Sequence, residues 1–174
     1  MAFIDHIDHG PTRLLYRYWL SRRRDCLMPA RRLIEPRDIA ELLPHIFLAD
    51  VMPQGRYRYR LVGTHIGEHV GRELTGSYLD ELAEGRHYER FRAIFDLVAT
   101  APAINYFASE LHWQDRSWMM YRRLLLPLSD DGITANMLLG ASFYEPRDPR
   151  YDTVRRLDET IQVRELENET MALS

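Results

Sequence analysis

The chain has 174 residues, 45% hydrophobic and 28% charged, with a net charge of −3. This is the balance of an ordinary soluble globular protein, long enough for one domain with extensions and a core that folds without staples. It supplies no overall field to draw the protein onto nucleic acid, and the single cysteine, Cys26, excludes an internal disulfide framework and suits a reducing cytoplasm. All 23 basic residues are arginine, so no lysine is available for a Schiff base or a phosphate loop, and the surface is rich in planar, bidentate donors. The opening MAFIDHIDHG lacks the apolar core of a signal peptide. No apolar run approaches the ~20 residues that span a bilayer.

Residues 1–11 read as a lead-in. From Thr12 to Asp25, Leu14, Leu15, Tyr18 and Trp19 share one helical face, with Thr12 as N-cap and Arg22, Arg23 and Arg24 at the negative end of the helix dipole. Pro29 and Pro36 bracket an extended piece. A short helix then runs from Pro36 to Leu43 and stops before Pro44. Ile46 to Met52 reads as a strand, 53–55 as a turn and Arg56 to Val62 as the hairpin partner, with Tyr57, Tyr59 and Leu61 alternating against Arg58 and Arg60. Beyond Gly63, two short helical pieces separated by Gly71 and Gly76 cannot bury a face alone. They are predicted to pack as a lid. His87 to Thr100 reads as a helix with Tyr88, Phe91, Phe95 and Val98 on its buried stripe and Ile94 beside it.

Three strands are predicted next, over Ala103–His112, Trp118–Leu128 and Ile133–Tyr144, with QDRS and DDG as turns. MMYRRLLLPL is apolar on both faces, as in a central strand covered on both sides. After the boundary EPRDPR at 145–150, residues 151–170 read as a polar helix whose thin apolar side is Leu157, Ile161 and Leu166. The predicted divisions are an N-terminal helical extension at 1–45, a core at 46–145 and a polar tail at 146–174.

Five motifs occur in register: Pro29-x-Arg31-x-x-Ile34-Glu35-Pro36, Leu43-Pro44, RYRLVGT at 58–64, Gly71-x-x-Leu74-Thr75-Gly76, and LLLPLSDDG at 124–132. Together with the element order they resemble the PAS_5 family of PAS domain proteins, which are small, bacterial and mostly alphaproteobacterial. The resemblance covers about residues 12–145. It implies an α+β fold: a five-stranded antiparallel sheet in spatial order 2-1-5-4-3, with a helical lid on one face and the N-terminal helix on the other. It also implies a sensor or protein-contact role, and it carries no catalytic motif.

His65, Glu68 and His69 spell H-x-x-E-H, the inverted zinc-peptidase signature. That site needs a long rigid helix to hold both histidines. Gly67 and Gly71 deny it one, so the segment reads as a solvated turn of the lid, and a metal-dependent hydrolase is the remote alternative. Cys26 has no nucleophile elbow beside it. The phosphate-loop, dinucleotide and zinc-ribbon spacings are absent. His87 is the helix-borne candidate for haem, without a supporting signature, and no cofactor is assigned.

Ligand-pocket candidates are the aromatics Tyr59, Tyr78, Phe91, Tyr106 and Trp118, with the polar residues Arg60, Arg122 and Asn136 that interrupt apolar strands. A buried arginine needs an anionic partner from protein or ligand. No catalytic residue and no metal site is assigned. The expected function is a stand-alone cytoplasmic sensory module that binds a small, apolar or anionic ligand or a regulatory protein. Its output would pass through protein contacts or a homodimer built on the N-terminal helix. The alternative is a ligand-free adaptor, and neither nucleic acid nor membrane is an expected partner.

Overall fold

The computed structural model describes residues 2–113, 116–146 and 156–166, with the backbone alone at 111–113 and 116–118. Strands β1 (Ile46–Met52) and β2 (Arg56–Val62) form the predicted hairpin across a 3-10 turn at Pro53–Gly55. Strands β3 (Ala103–Trp113), β4 (Arg116–Leu128) and β5 (Met137–Pro146) follow, and a further strand, β6, spans Leu157–Gln162. All pairings are antiparallel, in the order β2-β1-β5-β4-β3-β6.

The first five strands take the order 2-1-5-4-3. The sixth replaces the helix expected in the tail, whose residues 151–155 and 167–170 lie outside the described ones. Leu157 and Ile161 are four apart, a spacing that suits a helix face and one face of a strand alike. Pairing decides between them. Without β6, β3 would present an open row of backbone donors and acceptors, and β6 covers that row from Ala103↔Gln162 to Ala108↔Leu157. A smaller departure is the start of β5. Ile133 to Asn136 lie in the preceding loop, where Asp131 Oδ1 accepts the N–H groups of Ile133 and Thr134 at 2.8 and 2.7 Å.

The sheet is buried on both sides. Leu124, Leu125, Leu126 and Leu128 of β4 have no exposed surface, as the doubly apolar sequence predicts. Covering one face are α1 (Phe3–His6), α2 (Gly10–Arg23) and 3-10 turns across Pro36–His45. The stripe α2 buries is Thr12, Leu15, Tyr16, Trp19 and Arg23, whereas Leu14 is 50% exposed. Helical phase explains this: Leu14 lies one position, about 100°, off the line through Leu15 and Trp19. Thr12 falls within the helix, which begins at Gly10 with His9 as its N-cap residue. Trp19 is fully buried, and its Nε1–H donates to the Pro127 carbonyl at 2.9 Å. Of the stripe read from the sequence, Leu15 and Trp19 are spent on the sheet, while Leu14 stays exposed.

A polar belt ties the chain before α2 to the same face. The Tyr106 hydroxyl donates to Asp8, and Arg122 reaches Glu145 at 2.8 Å and Asp8 at 3.4 Å. His9 bonds Thr12 at 2.8 Å and Glu145 at 3.2 Å, and its ring meets Phe143 edge-on at 4.6 Å. On the far side of Phe143 the His45 ring stacks at 4.5 Å, and His65 lies 4.5 Å beyond it. Burial holds both His9 and His45 below the ordinary histidine pKa. Glu145 partly opposes this at His9, and the neighbouring His65 reinforces it at His45.

Two outcomes follow for stability. Trp19→Ala should cost about 3–5 kcal/mol of unfolding free energy. Trp19→Phe should cost about 1–3 kcal/mol by orphaning a buried carbonyl; urea denaturation measures both. If α2 were a loosely docked extension, neither change would move the transition. The histidines set a pH dependence. Below about pH 6.5 the unfolded chain takes up protons that the native rings resist. Stability should therefore fall between pH 7.5 and 5.5, and His45→Gln should flatten the profile of melting temperature against pH. An equal slope in wild type and variant would show that His45 does not contribute.

Candidate functional site

The second face of the sheet is covered by α3 (Thr64–Val70), α4 (Leu79–Leu82) and α5 (Gly85–Thr100). This is the predicted glycine-punctuated lid, followed by the long helix. Gly71 ends α3 in the left-handed conformation at φ +80°, and Gly76 turns the chain back at φ +88°, where a side chain would be strained. The returning segment pairs with β2 through one residue. The Gly76 N–H donates to the Tyr59 carbonyl at 2.6 Å, and the Tyr59 N–H donates to the Ser77 carbonyl at 2.9 Å. Arg56 secures the next turn, with two bonds of 2.9 Å to Asp80 and its guanidinium 3.8 Å above the Tyr78 ring. The lid is thus tethered to the edge of β2 and covers it at Tyr59.

Between lid and sheet lies a cavity of about 240 Å³. Its walls are mostly apolar: Ile66 and Val70 from α3, Leu74 from the connector, Leu79 and Leu82 from α4, and Phe91 and Phe95 from α5. Phe47 forms part of the floor. A Cβ at Gly140, its cross-strand neighbour, would sit 1.9 Å from the Phe47 ring, so only glycine lets that ring lie flat across β5.

Polar groups converge from the sheet. Tyr59 on β2, Tyr121 and Arg123 on β4, and Ser142 and Tyr144 on β5 all line the cavity. Alternation places them there: 121 and 123 share one face of β4, and they pair across the ladder with Tyr144 and Ser142. The Tyr121 hydroxyl lies 3.4 Å from the Ser142 hydroxyl. Burial, then the mutual proximity of these phenols, pushes the Tyr59 and Tyr144 pKa values well above the ordinary tyrosine value, with Arg123 opposing. Both hydroxyls therefore remain protonated through the physiological range, as hydrogen-bond partners rather than bases.

Arg123 is 3% exposed. One Nη donates to Asn105 Oδ1 at 3.1 Å, and the rings of Phe91 and Phe107 lie 5.7 and 5.6 Å from its Cζ. Among the described residues its Nε–H has no hydrogen-bond partner and its charge meets no carboxylate directly. Asn105 in turn bonds Asp158 at 3.0 Å and Thr160 at 3.1 Å on β6. The nearest negative charge along this network is therefore one side chain removed.

The residues singled out from the sequence are dispersed. Tyr59 and Phe91 line the cavity. Arg60 occupies the bulge where Leu48 pairs with Leu61 and Ala49 with Tyr59, and it points to solvent in an ion pair with Asp50 at 2.8 Å. Tyr78 lies outside the lining, under Arg56. Tyr106 and Arg122 belong to the opposite face, in the polar belt around Asp8. Asn136 is exposed in the β4–β5 loop, bonded to Asp130 at 2.8 Å. Trp118 contributes backbone to β4, and its side chain lies outside the described residues. Arg123, Tyr121, Ser142 and Tyr144 complete the polar end and were not among the residues selected from the sequence. The signal available was strand phase, since Tyr121 and Arg123 are two apart and share one face of β4.

The histidines of H-x-x-E-H do not form a ligand set. The His69 ring stacks on Tyr144 at 3.8 Å, His65 faces His45, and Glu68 is exposed. Among the described residues no group of three His, Cys, Asp or Glu side chains is arranged to hold a metal ion. His87, the haem candidate, is exposed and does not line the cavity. No described helix is long and apolar enough to cross a membrane.

Among solved structures, the crystal structure of a Rhodobacter sphaeroides LOV protein is similar, with a TM-score of 0.43 and 17% identity over 59% of this chain and 60% of that one. The chain thus spans less than two thirds of that neighbour's length. No curated protein matches it. The model of the PAS_5 family, described as a PAS domain, matches residues 7–143, from just before α2 into β5, and the chain belongs to that family.

Proposed function

We propose that this protein is a sensory module that binds a small organic ligand between its lid and its sheet and signals through protein contact. The observation that carries the reading is the cavity itself: about 240 Å³, apolar-walled, with polar groups gathered on the sheet side. Small-molecule sites have this character, at volumes from roughly 300 Å³ upward, so the ligand is small. The lid is built of short helices joined at glycines and anchored along one strand edge, which suits it to rest in more than one position. A ligand that binds one position more tightly shifts the population toward it.

The phenols support binding over catalysis. Protonated, the Tyr59 and Tyr144 hydroxyls can donate to or accept from a ligand, and neither is poised as a base near neutral pH. The PAS family is one of sensors rather than catalysts in general, which agrees. The surface that a partner reads would be the lid, the element most directly altered by occupancy.

Native mass spectrometry of freshly purified protein should show an added small organic mass that disappears on denaturation. Ala83→Trp places an indole at the cavity wall and should abolish that mass while leaving the circular dichroism spectrum unchanged. An apo mass for wild type, together with unchanged lid protection from hydrogen exchange when small hydrophobic compounds are added, would count against a ligand-gated sensor. The ligand-free adaptor reading would then replace it.

A further inference from the structure

We infer that the ligand of this cavity is a small monoanion with an apolar body, a carboxylate of roughly ten non-hydrogen atoms, and that Arg123 is the residue that selects it. The inference rests on the proposed ligand-binding function and specifies its chemistry.

The charge on Arg123 carries the argument. A guanidinium buried to this degree needs a charge partner or full hydrogen bonding. Arg123 has one bond to a neutral amide oxygen, at 3.1 Å, and two flanking aromatic rings. Aromatic faces attract a cation, but they do not occupy its N–H groups. An Nε–H left open beside an Nη is half of the planar fork that arginine offers to a carboxylate, and Arg123 lines the cavity. Every other arginine considered as a pocket candidate is already paired: Arg60 with Asp50, and Arg122 with Glu145 and Asp8. Arg72, which also lines the cavity, is exposed and bonds the Leu82 carbonyl at the lid surface.

The neighbours of Arg123 favour an anion over a neutral ligand. The hydroxyls of Tyr59, Tyr121, Tyr144 and Ser142 stand on the same side, and all can donate to a carboxylate oxygen. Among the described residues no carboxylate lines the cavity to repel it. The rest of the lining is aliphatic and aromatic, so the remainder of the ligand is apolar. The volume limits its size: at about 30 Å³ per water-sized unit, 240 Å³ holds on the order of eight such units. A phosphate or dicarboxylate would bring a second charge whose only described counterpart in the lining is Arg72, exposed at the lid surface.

The test compares octanoate with 1-octanol, which matches it in length and lacks the charge, by isothermal titration calorimetry on the intact protein at pH 7.5. Wild type should bind octanoate at least about tenfold more tightly than 1-octanol. Arg123→Met should remove that preference by weakening octanoate while 1-octanol is retained. Equal affinity for the two in wild type would overturn the anion assignment and leave the cavity reading standing. Binding of neither would overturn both. The wild-type comparison needs no variant, so it decides the matter even if Arg123→Met does not fold.

Discussion

Two consecutive arginines at the centre of the sheet are sent to opposite faces by the pleat of β4, and the two halves of the molecule are organised around them. Arg122 faces the N-terminal cover, where Asp8 and Glu145 neutralise it. Arg123 faces the lid, where no described carboxylate does. Each side of a doubly covered sheet must be satisfied separately, because side chains of one face cannot reach the other. The N-terminal side is closed: Trp19 and its neighbours fill it, and Tyr106, Arg122 and His9 are bonded to Asp8, Glu145 and Thr12. The lid side is incomplete, with space and unused donors at one place.

The cost of that arrangement is limited by its surroundings. Asn105 gives the guanidinium a neutral acceptor, and the Phe91 and Phe107 rings supply a weak attraction on either side. Asn105 is itself held by Asp158 and Thr160, so the sixth strand does more than close the edge of β3. It fixes the acceptor that Arg123 has among the described residues. A protein carboxylate in this position would neutralise Arg123 outright; Asn105 and the two rings satisfy it only in part.

Much of the scaffold was legible in the sequence. Hairpin turns, strand alternation and the apolar stripe of α5 located β1 to β4 and the lid, since those signals are local and repeat several times. The tail was misread because Leu157 and Ile161 fit both periods, and only pairing with β3 decides between them. On α2 the heptad-like run LLYRYWL contains two overlapping stripes, and the one through Tyr16 rather than Leu14 faces the sheet. The site was legible in kind but not in detail. Arg60 and Arg122 were the arginines singled out inside apolar strands, and their unselected neighbour Arg123 is the one of the three that lines the cavity. A bulge at Arg60 and the two-residue period on β4 assign them, and a bulge leaves no mark in composition. Tyr59 and Phe91 were recognisable as large aromatics. Ser142 and Tyr144 reach the cavity only through the register of β4 with β5.

A crystal structure of the protein with octanoate examines the central claim, that the lid-side cavity presents Arg123 as an open cation. The account predicts density for the chain among Phe47, Phe91 and the lid leucines, with a carboxylate oxygen within hydrogen-bond distance of Arg123 Nε. It would be contradicted by Arg123 turned onto a protein carboxylate with the cavity filled by side chains, or by a carboxylate seated on Arg72 at the lid surface.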